Sequence, residues 1–347
     1  MVKASGIGLA LATATSVVNV MTDICRKKSV EENDIIGTWF WISGTAALVF
    51  GCMFAFHLAT VPGPLLHPVG ALFGHMSGGF GATWPPPLKF AVCLLLDGGL
   101  ETAALYYYLR ALQVSDLSIT VPFLAFTPVL LIPTGYLFLH EMPNLRQGIG
   151  VLLVVCGSLT INKRALREGW IGPVKAVFAE PGSRYMLLVA LCFALTNPMD
   201  KIIVLMSDPV TAAFGYGMTL WAFYTALMIA RRKTWGSALK QAPRWIVMAG
   251  ILYASTQLLQ FTSHRYIDVV LTITIKRAGI LLSVLAGWLI FRERDVEDRL
   301  IAAFVMLCGV FLIYLPFGVR LQMGIVVLVL VTLAVSLRTS LRLRPKP

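Results

Sequence analysis

Two adjacent basic residues lie deep inside an apolar run of this 347-residue chain. Lys276 and Arg277 follow Asp268 by eight and nine residues, which corresponds to about 12 Å along a helix and to the middle of a membrane span. A charge at the centre of a bilayer costs about 2.5–3.5 kcal/mol, so both side chains must face protein or water. Neighbouring bases at this depth suit a phosphate or carboxylate group. The alternatives are an ion pair with Asp97 or Glu101, snorkelling of Arg277, and a role in proton coupling.

Asp97 and Glu101 are a second candidate pair, because residues four apart share one face of a helix. Tyr108 lies further along that face and is a candidate substrate contact. A carboxyl group inside a membrane protein can carry a proton, so the two acids are candidates for coupling transport to protons. Alternatively they pair with Lys276 or Arg277, or lie in water near the membrane surface.

Amide side chains form a third candidate group. Gln257 and Gln260 recur at helical spacing with Tyr253 and His264 in one apolar run. These glutamines either bind a substrate or bond to a neighbouring helix. Asn19 and Asn197 fall in the first and sixth apolar runs and are further candidate substrate contacts.

The sixth run contains the segment Asn197-Pro198-Met199-Asp200-Lys201. Proline lacks a backbone donor, so Pro198 is expected to interrupt the helix near mid-depth, and interrupted helices mark binding sites in transporters. Asp200 and Lys201 are candidate coupling or ion-pair residues, which either satisfy each other or face a cavity.

The composition places these residues in a membrane protein. The chain is 57% hydrophobic and 13% charged, whereas soluble domains carry about 25% charged residues. Its net charge of +12 comes from bases that lie between apolar runs, as expected of anchors at a membrane surface rather than of a nucleic-acid interface. Ten runs suit membrane-spanning helices, and they are residues 4–24, 35–57, 88–110, 115–139, 145–161, 185–206, 209–230, 245–263, 268–291 and 299–316. An eleventh run, 321–337, either spans or lies on the surface.

Residues 116–161 align with residues 268–313 without a gap, at a separation of 152 residues. The identical pairs are Asp116/Asp268, Thr120/Thr272, Leu130/Leu282, Gly135/Gly287, Leu137/Leu289, Glu141/Glu293, Ile149/Ile301, Cys156/Cys308, Gly157/Gly309 and Ile161/Ile313. The repeat predicts an all-α polytopic membrane protein of two five-helix halves. Because five is odd, the second half is inverted relative to the first.

The predicted domains are a first repeat at 1–161, a basic connection at 162–184, a second repeat at 185–316, and an additional C-terminal segment at 317–347. Lys276 and Arg277 replace Leu124 and Ala125 of the first repeat, so the scaffold loses its symmetry where substrate chemistry is expected.

Basic residues and aromatic anchors suggest an orientation. The odd-numbered connections hold most of the Lys and Arg, beginning with Arg26, Lys27 and Lys28, so their side is expected to be cytoplasmic. Trp39 lies near a run end and is expected to be an interfacial anchor. A small or polar stripe in span nine is expected to face a wet cavity, and its members are Thr272, Lys276, Gly279, Ser283 and Gly287.

Several short motifs add a family resemblance. They are residues 107–113, Pro128-Val129, Leu139-His140-Glu141, residues 147–150, Cys156-Gly157, and in the second copy Phe291-Arg292-Glu293 and Cys308-Gly309. Over about residues 5–316 the chain resembles the drug/metabolite transporter superfamily, of the EamA-like ten-helix type. The resemblance implies a basket of two inverted repeats with a central cavity lined by helices 1, 3, 4, 6, 8 and 9. The Lys276-Arg277 pair also resembles a dipeptide on the ninth helix of triose-phosphate translocators, which implies an anion site.

The expected function is secondary transport of a small polar metabolite, with an anion as the leading alternative, by an exporter or exchanger. We expect a multi-pass protein of the cell (inner) membrane, a monomer or homodimer, whose partners are the metabolite, the bilayer and, in one alternative, protons. No enzyme activity, cofactor, metal or nucleic acid is expected. The alternatives are a membrane enzyme or flippase acting on a lipid phosphate, and a non-transporting helper subunit.

Overall fold

The computed structural model describes residues 6–30, 33–61, 84–116, 120–159 and 180–277, with isolated positions between 279 and 312. Every regular element in this part of the chain is a helix, which confirms the all-α prediction. Four predicted segments lie wholly or mostly outside the described residues. The run 321–337 and the motif Phe291-Arg292-Glu293 lie wholly outside, and so do most of the predicted tenth span and most of the connection 162–184.

Within the described residues, nine helices correspond to the first nine predicted spans. They are α1 (Gly6–Val30), α2 (Ile35–Thr60), α3 (Pro86–Val114), α4 (a 3₁₀ segment, Val121–Phe126, continued by Thr127–Leu139), α5 (Leu145–Leu159), α6 (Pro181–Met206), α7 (Pro209–Ala230), α8 (Pro243–His264) and α9 (Val269–Arg277). A single turn, Ser237–Gln241, precedes α8. By length and composition alone, α1, α2, α6 and α7 are apolar enough to cross a membrane.

Local sequence signals explain where the helices begin. Asp34 caps α2 by accepting a hydrogen bond from the Gly37 amide at 3.0 Å. Asp208 caps α7 and accepts from the Thr211 amide at 3.1 Å. Proline occupies the first turn of α3, α6, α7 and α8, where its missing N–H leaves no intrahelical bond unmade.

The charged hinge predicted at His140-Glu141 is a tight turn that ends α4. His140 has a left-handed backbone with φ of 53°, and its amide donates to the Tyr136 carbonyl at 2.9 Å. The Glu141 amide donates to the Gly135 carbonyl at 3.3 Å. These bonds satisfy carbonyls that the end of a helix leaves free.

The expected interruption of the sixth helix at Pro198 does not occur, since α6 is continuous from Pro181 to Met206. Proline cannot donate to the carbonyl four residues earlier, which belongs to Ala194. That carbonyl instead accepts from the Thr134 hydroxyl of α4 at 2.6 Å. A side chain from a neighbouring helix therefore replaces the missing bond and keeps α6 intact.

The two halves interlock through reciprocal helix contacts. The first helix of the first half, α1, packs against α8 and α9, and the first helix of the second half, α6, packs against α3 and α4. The second helices, α2 and α7, pack against each other. Exchanging the halves exchanges these pairs, as expected of two repeats related by a pseudo-two-fold axis. The domain boundaries at 161, 185 and 316 stay predictions.

Identical repeat residues form the same bonds in both halves. The Thr120 hydroxyl and amide both donate to the Asp116 carbonyl, at 2.9 and 3.1 Å. Thr272 makes the matching bonds to the Asp268 carbonyl, at 3.3 and 3.0 Å. The repeat thus preserves the residues that begin α4 and α9.

Close packing of α8 on α2 depends on Gly250. A Cβ at this position would lie 2.6 Å from the Thr45 Cβ and 2.9 Å from the Ile42 carbonyl oxygen. We expect Gly250→Ala to force the helices apart and destabilise the protein by about 1–3 kcal/mol. A lower midpoint of thermal unfolding in detergent is the expected measurement.

Gly148→Ala is the matched control, because a Cβ there meets no atom of the described residues within 4 Å. This substitution should leave the midpoint unchanged or raise it, since alanine favours a helix over glycine by about 1 kcal/mol. Equal midpoints for the two variants would contradict the packing role of Gly250.

Candidate functional site

A polar cavity lies between the two halves. The space between its atoms is about 430 Å³, and this figure includes the part of the space that is open to the outside. Its described walls come from α1, α3, α6, α8 and α9, and α4 contributes none of the described lining residues. The predicted site residues that line it are Asn19, Glu101, Tyr108, Asn197, Asp200, Gln257, Gln260, Lys276 and Arg277. Asp97 and Lys201 do not line it.

Gln260 connects the basic and acidic sides of the cavity. Its amide oxygen accepts from the Lys276 ammonium at 2.7 Å. Its amide nitrogen donates to Asn197 Oδ1 at 3.1 Å and approaches Asp200 Oδ2 at 3.5 Å. Gln260 therefore bonds to neighbouring helices, as one of the two alternatives predicts, and it also lines the cavity. Substrate binding by Gln260 stays a prediction. The amide stands between Lys276 and Asp200 and keeps their opposite charges apart.

Arg277 is 5% exposed, which contradicts snorkelling to the membrane surface. Its guanidinium lies over the Phe193 ring at 5.5 Å from the centroid. Within the described residues its Nε has no hydrogen-bond partner. No ion pair within 4.0 Å joins Lys276 or Arg277 to a carboxylate in the described part of the chain. The alternative of an internal ion pair is therefore wrong for this conformation.

Glu101 and Asp97 share a helix face but have different surroundings. The Glu101 carboxylate faces the cavity and accepts from the hydroxyls of Thr196 and Tyr216, both at 3.2 Å. Tyr216 also hydrogen-bonds to Tyr253. Asp97 is fully buried behind the cavity wall, and neither of its carboxylate oxygens has a hydrogen-bond partner in the described structure.

The prediction that Lys201 pairs with Asp200 or faces the cavity is wrong. The Lys201 ammonium forms a buried ion pair with Glu141 and donates to the Ile267 carbonyl at 2.9 Å. Glu141 in turn accepts from the Val269 amide at 2.9 Å, at the first residue of α9. Adjacent residues on a helix point about 100° apart, so Asp200 faces the cavity and Lys201 faces the opposite half.

Sequence reasoning missed Arg26, which it assigned to a loop. Helix α1 continues to Val30, and Arg26 is 3% exposed and lines the cavity. Its guanidinium bonds to Asp23 at 3.1 Å. Three aromatic rings surround it at 4.8–5.4 Å, and they belong to Trp39, Tyr108 and Tyr253. The Asp23–Arg26 spacing of three residues, which places both on one helix face, was the available signal.

Trp39 is a fully buried core residue, not the expected interfacial anchor. Its indole donates to the Leu105 carbonyl of α3 at 2.7 Å, because a buried Trp N–H needs an acceptor. The ring also stacks on Tyr224 at 5.9 Å. It thus forms one wall around Arg26.

The stripe predicted on span nine does not face the cavity as a whole. Thr272 is fully buried, and its hydroxyl is 3.2 Å from the Ser263 hydroxyl. A Cβ on Gly279 would lie 2.9 Å from the Ser16 carbonyl oxygen of α1. These two positions pack against helices, and Lys276 is the described member that reaches the cavity. Ser283 and Gly287 lie outside the described residues.

The model of the EamA-like transporter family matches residues 5–163 and 181–315, which is most of the chain. The chain belongs to the EamA-like transporter family. The match falls on two segments, in agreement with two repeats, and the resemblance to the drug/metabolite transporter superfamily is confirmed. The chain is therefore an integral, multi-pass membrane protein of a transporter family.

Other comparisons add the fold alone. A solved crystal structure of a protein matches with a TM-score of 0.62 and 14% identity, over 89% of this EamA-like chain and 98% of the other. No curated protein matches. Helix arrangement is thus shared with that solved structure, and the substrate has to be argued from the cavity itself.

The ion pair between Lys201 and Glu141 should be a strong coupling between the halves. Removing one partner of a buried pair leaves an uncompensated charge, so Lys201→Met should destabilise the protein by about 3–5 kcal/mol. The double variant Lys201→Met/Glu141→Gln should be less destabilised than the sum of the single variants. Equilibrium unfolding in mixed detergent micelles measures both.

Lys233→Met is the matched control, because Lys233 pairs with Asp34 at 2.7 Å with both side chains partly in solvent. An exposed pair contributes about 0–1 kcal/mol. Strict additivity in the Lys201–Glu141 cycle, or a Lys233→Met effect as large as that of Lys201→Met, would count against the coupling.

Proposed function

We propose that this EamA-like protein transports a small anionic metabolite, and that Lys276, Arg277 and Arg26 bind its anionic group. The observation that carries the proposal is the convergence of these three cations on one cavity. The Nε donors of Arg26 and Arg277 have no partner in the described structure. A buried N–H without an acceptor is costly, so an anion supplies what the protein leaves unmade.

The three cations have different surroundings, so each contributes to binding of the anion in a different way. Lys276 is held by Gln260 through one hydrogen bond, and an ammonium has two further donors. The Arg277 guanidinium lies over Phe193, and a guanidinium, which is planar, offers paired N–H groups to a carboxylate or phosphate. Arg26 already shares its charge with Asp23, so it contributes a second and weaker attraction.

The amides and the tyrosine orient the substrate in this proposal. Asn19, Asn197 and Gln257 line the cavity beside the cations, and each amide offers both a donor and an acceptor. Tyr108 completes the wall between Arg26 and the cavity. These neutral groups distinguish a polar metabolite from an inorganic ion, because they bond to its hydroxyl or amide groups.

Two contacts between the halves act as gates in the same proposal. Lys201 and Glu141 join the second half to the first near the end of α6. Arg26 of the first half contacts Tyr253 of the second near the end of α1. In two inverted repeats the matching helices α1 and α6 run in opposite directions, so the proposal assigns these contacts to opposite ends of the cavity. Alternating access then opens one contact while the other stays closed.

Protons drive this transport in the proposal, with Glu101 as the carboxyl group at the cavity and Asp200 across from it. A proton on one of these acids and an anion on Lys276 keep the site close to neutral, which lowers the cost of exposing it to either side. In this proposal the protein works in the cell membrane as an exporter or exchanger, without a cofactor.

Lys276→Met tests the anion site. Purified protein in liposomes takes up labelled phosphate, glycerol 3-phosphate or malate, and the wild type should carry at least one of them. Loss of a charged hydrogen bond weakens binding by about 1.5–3 kcal/mol, so uptake at low anion concentration should fall about tenfold or more. Lys233→Met, which changes a lysine outside the cavity, should match the wild type.

Transport of the anion at the wild-type rate by Lys276→Met would falsify the anion site. Absence of flux for all three anions in every protein would overturn the anionic substrate class. Uptake of labelled choline by the same liposomes would then indicate a cationic substrate, and uptake of labelled glucose a neutral one.

Gln260→Glu gives an opposite perturbation. It places a carboxylate where the amide oxygen lies 2.7 Å from the Lys276 ammonium. The new ion pair between the introduced carboxylate and Lys276 competes with the anion for the ammonium group. The half-saturating anion concentration should therefore rise, while the protein remains folded. Uptake as a function of anion concentration measures this, and an unchanged half-saturating value would argue that Lys276 does not contact the substrate.

A further inference from the structure

A line of ionisable side chains runs along α3 from its first turn to the cavity. Its members, spaced four residues apart, are Lys89, Cys93, Asp97 and Glu101. Residues at this spacing stack on one helix face. All four are buried, with exposed fractions of 7%, 0%, 0% and 7% in chain order. The line therefore lies against the second half of the protein and not against lipid.

Asp97 is the member whose role the transport site does not explain. It is fully buried and outside the cavity lining. Both of its carboxylate oxygens lack a hydrogen-bond partner in the described residues. A structural aspartate is normally held by donors or by a cation, and Asp97 has neither within the described chain.

The groups that face Asp97 are mostly acidic. On its own helix it interacts electrostatically with Glu101 and lies next to Cys93, and across the interface it interacts with Asp200 of α6. On α7 the facing ionisable group is Tyr216, which bonds to Glu101. No cation in this set balances a charge on Asp97, so its carboxyl group is suited to gaining and losing protons rather than to holding a fixed charge.

The packing around Asp97 keeps its carboxyl group away from lipid and from the cavity. A Cβ on the adjacent Gly98 would lie 2.5 Å from the Thr219 side chain of α7 and 3.3 Å from the Phe223 ring. Helix α7 is thus in direct contact with α3 at this level, and it separates Asp97 from lipid. Asp97 is not among the residues that line the cavity, so a metabolite in the cavity does not contact it. A proton can still pass between two acids that are joined by one water.

We propose that Asp97 is a proton relay between water at the beginning of α3 and the Glu101 carboxyl group in the cavity. This inference rests on the proposed function, in which Glu101 faces the transported metabolite. The species that Asp97 binds and releases in this relay is a proton. Because Asp97 makes no hydrogen bond to Glu101 in the described structure, the proton crosses through one water. The O–H bond of Asp97 breaks as one forms on that water, and an O–H bond of the water breaks as one forms on Glu101. No electrons are transferred. Asp97 is then reprotonated from the Lys89 end of the line.

The relay assigns separate tasks to two acids on one helix face. Glu101 exchanges its proton with the cavity and is fixed by hydroxyls of α6 and α7. Asp97 supplies that proton without contacting the metabolite. Near the first turn of α3, Cys93 interacts electrostatically with Lys89 and offers a further exchangeable proton. A substitution at Asp97 should therefore uncouple transport from protons without weakening metabolite binding.

Infrared difference spectroscopy tests proton exchange at Asp97 directly and needs no substrate. Wild-type protein in liposomes is moved between mildly alkaline and mildly acidic buffers, and the carboxylic C=O bands are recorded. We expect Asp97→Asn to lose one band that the wild type and Thr102→Val retain. Thr102 is the matched control, because it is a buried polar residue of α3 outside the line. An unchanged set of bands in Asp97→Asn overturns the relay.

Flux measurements test the coupling. Liposomes are assayed with labelled phosphate, glycerol 3-phosphate and malate, with and without an imposed pH gradient. For the anion that the wild type carries, Asp97→Asn should lose the acceleration by the gradient and keep the exchange of labelled for unlabelled anion. Asp97→Glu, which restores an exchangeable proton, should recover the acceleration, and Thr102→Val should keep it.

The outcomes separate the relay from the transport proposal. If the pH gradient accelerates anion flux in Asp97→Asn as much as in the wild type, the relay is overturned, whichever anion is carried. Loss of both exchange and acceleration in Asp97→Asn, with a folded protein by size-exclusion chromatography, places Asp97 in the binding site and also overturns it. If no protein carries any of the three anions, the proposed anion transport fails, and the infrared bands alone decide whether Asp97 exchanges protons.

Discussion

Charge buried in an apolar bundle is the constraint on which the rest of this structure depends. Each such charge needs a counter-ion, an aromatic ring or a wet cavity, because the surrounding helices offer no solvent. Lys201 is paired with Glu141, Arg26 has Asp23 and three rings, and Lys276 reaches the cavity. The cavity therefore helps to accommodate buried charge, besides being the proposed place for the substrate.

The interlocked halves explain how this constraint is met. Because α1 packs against α8 and α9, and α6 against α3 and α4, the residues that line the cavity come from both repeats. In the proposed alternating access, opening the cavity to either side moves the halves relative to each other and breaks polar contacts between them. The pairing of Glu141 with Lys201, and the bond from the Val269 amide to Glu141, are contacts of this type. The same bonds hold the fold together and would have to break in the proposed transport mechanism.

Much of the site was predictable because helical spacing fixes which side chains share a face. Glu101 and Tyr108 line the cavity together, as do Gln257 and Gln260. The failures have specific physical causes. Arg26 was assigned to a loop because basic residues usually end a membrane span, yet a cage of rings and Asp23 keep α1 helical to Val30. Pro198 was expected to interrupt α6, and a Thr134 hydroxyl from another helix repairs the lost bond.

The sequence by itself determined the membrane class, the nine described helices and the two-repeat plan, because hydrophobic length and internal similarity are local properties of the chain. Only the tertiary structure decided which partner each buried polar group has. Adjacent residues such as Asp200 and Lys201 diverge into the cavity and into the opposite half. Asp97 and Glu101 share a helix face, yet Glu101 alone reaches the cavity. Partners come from helices far away in sequence, and their distances depend on how the two halves pack.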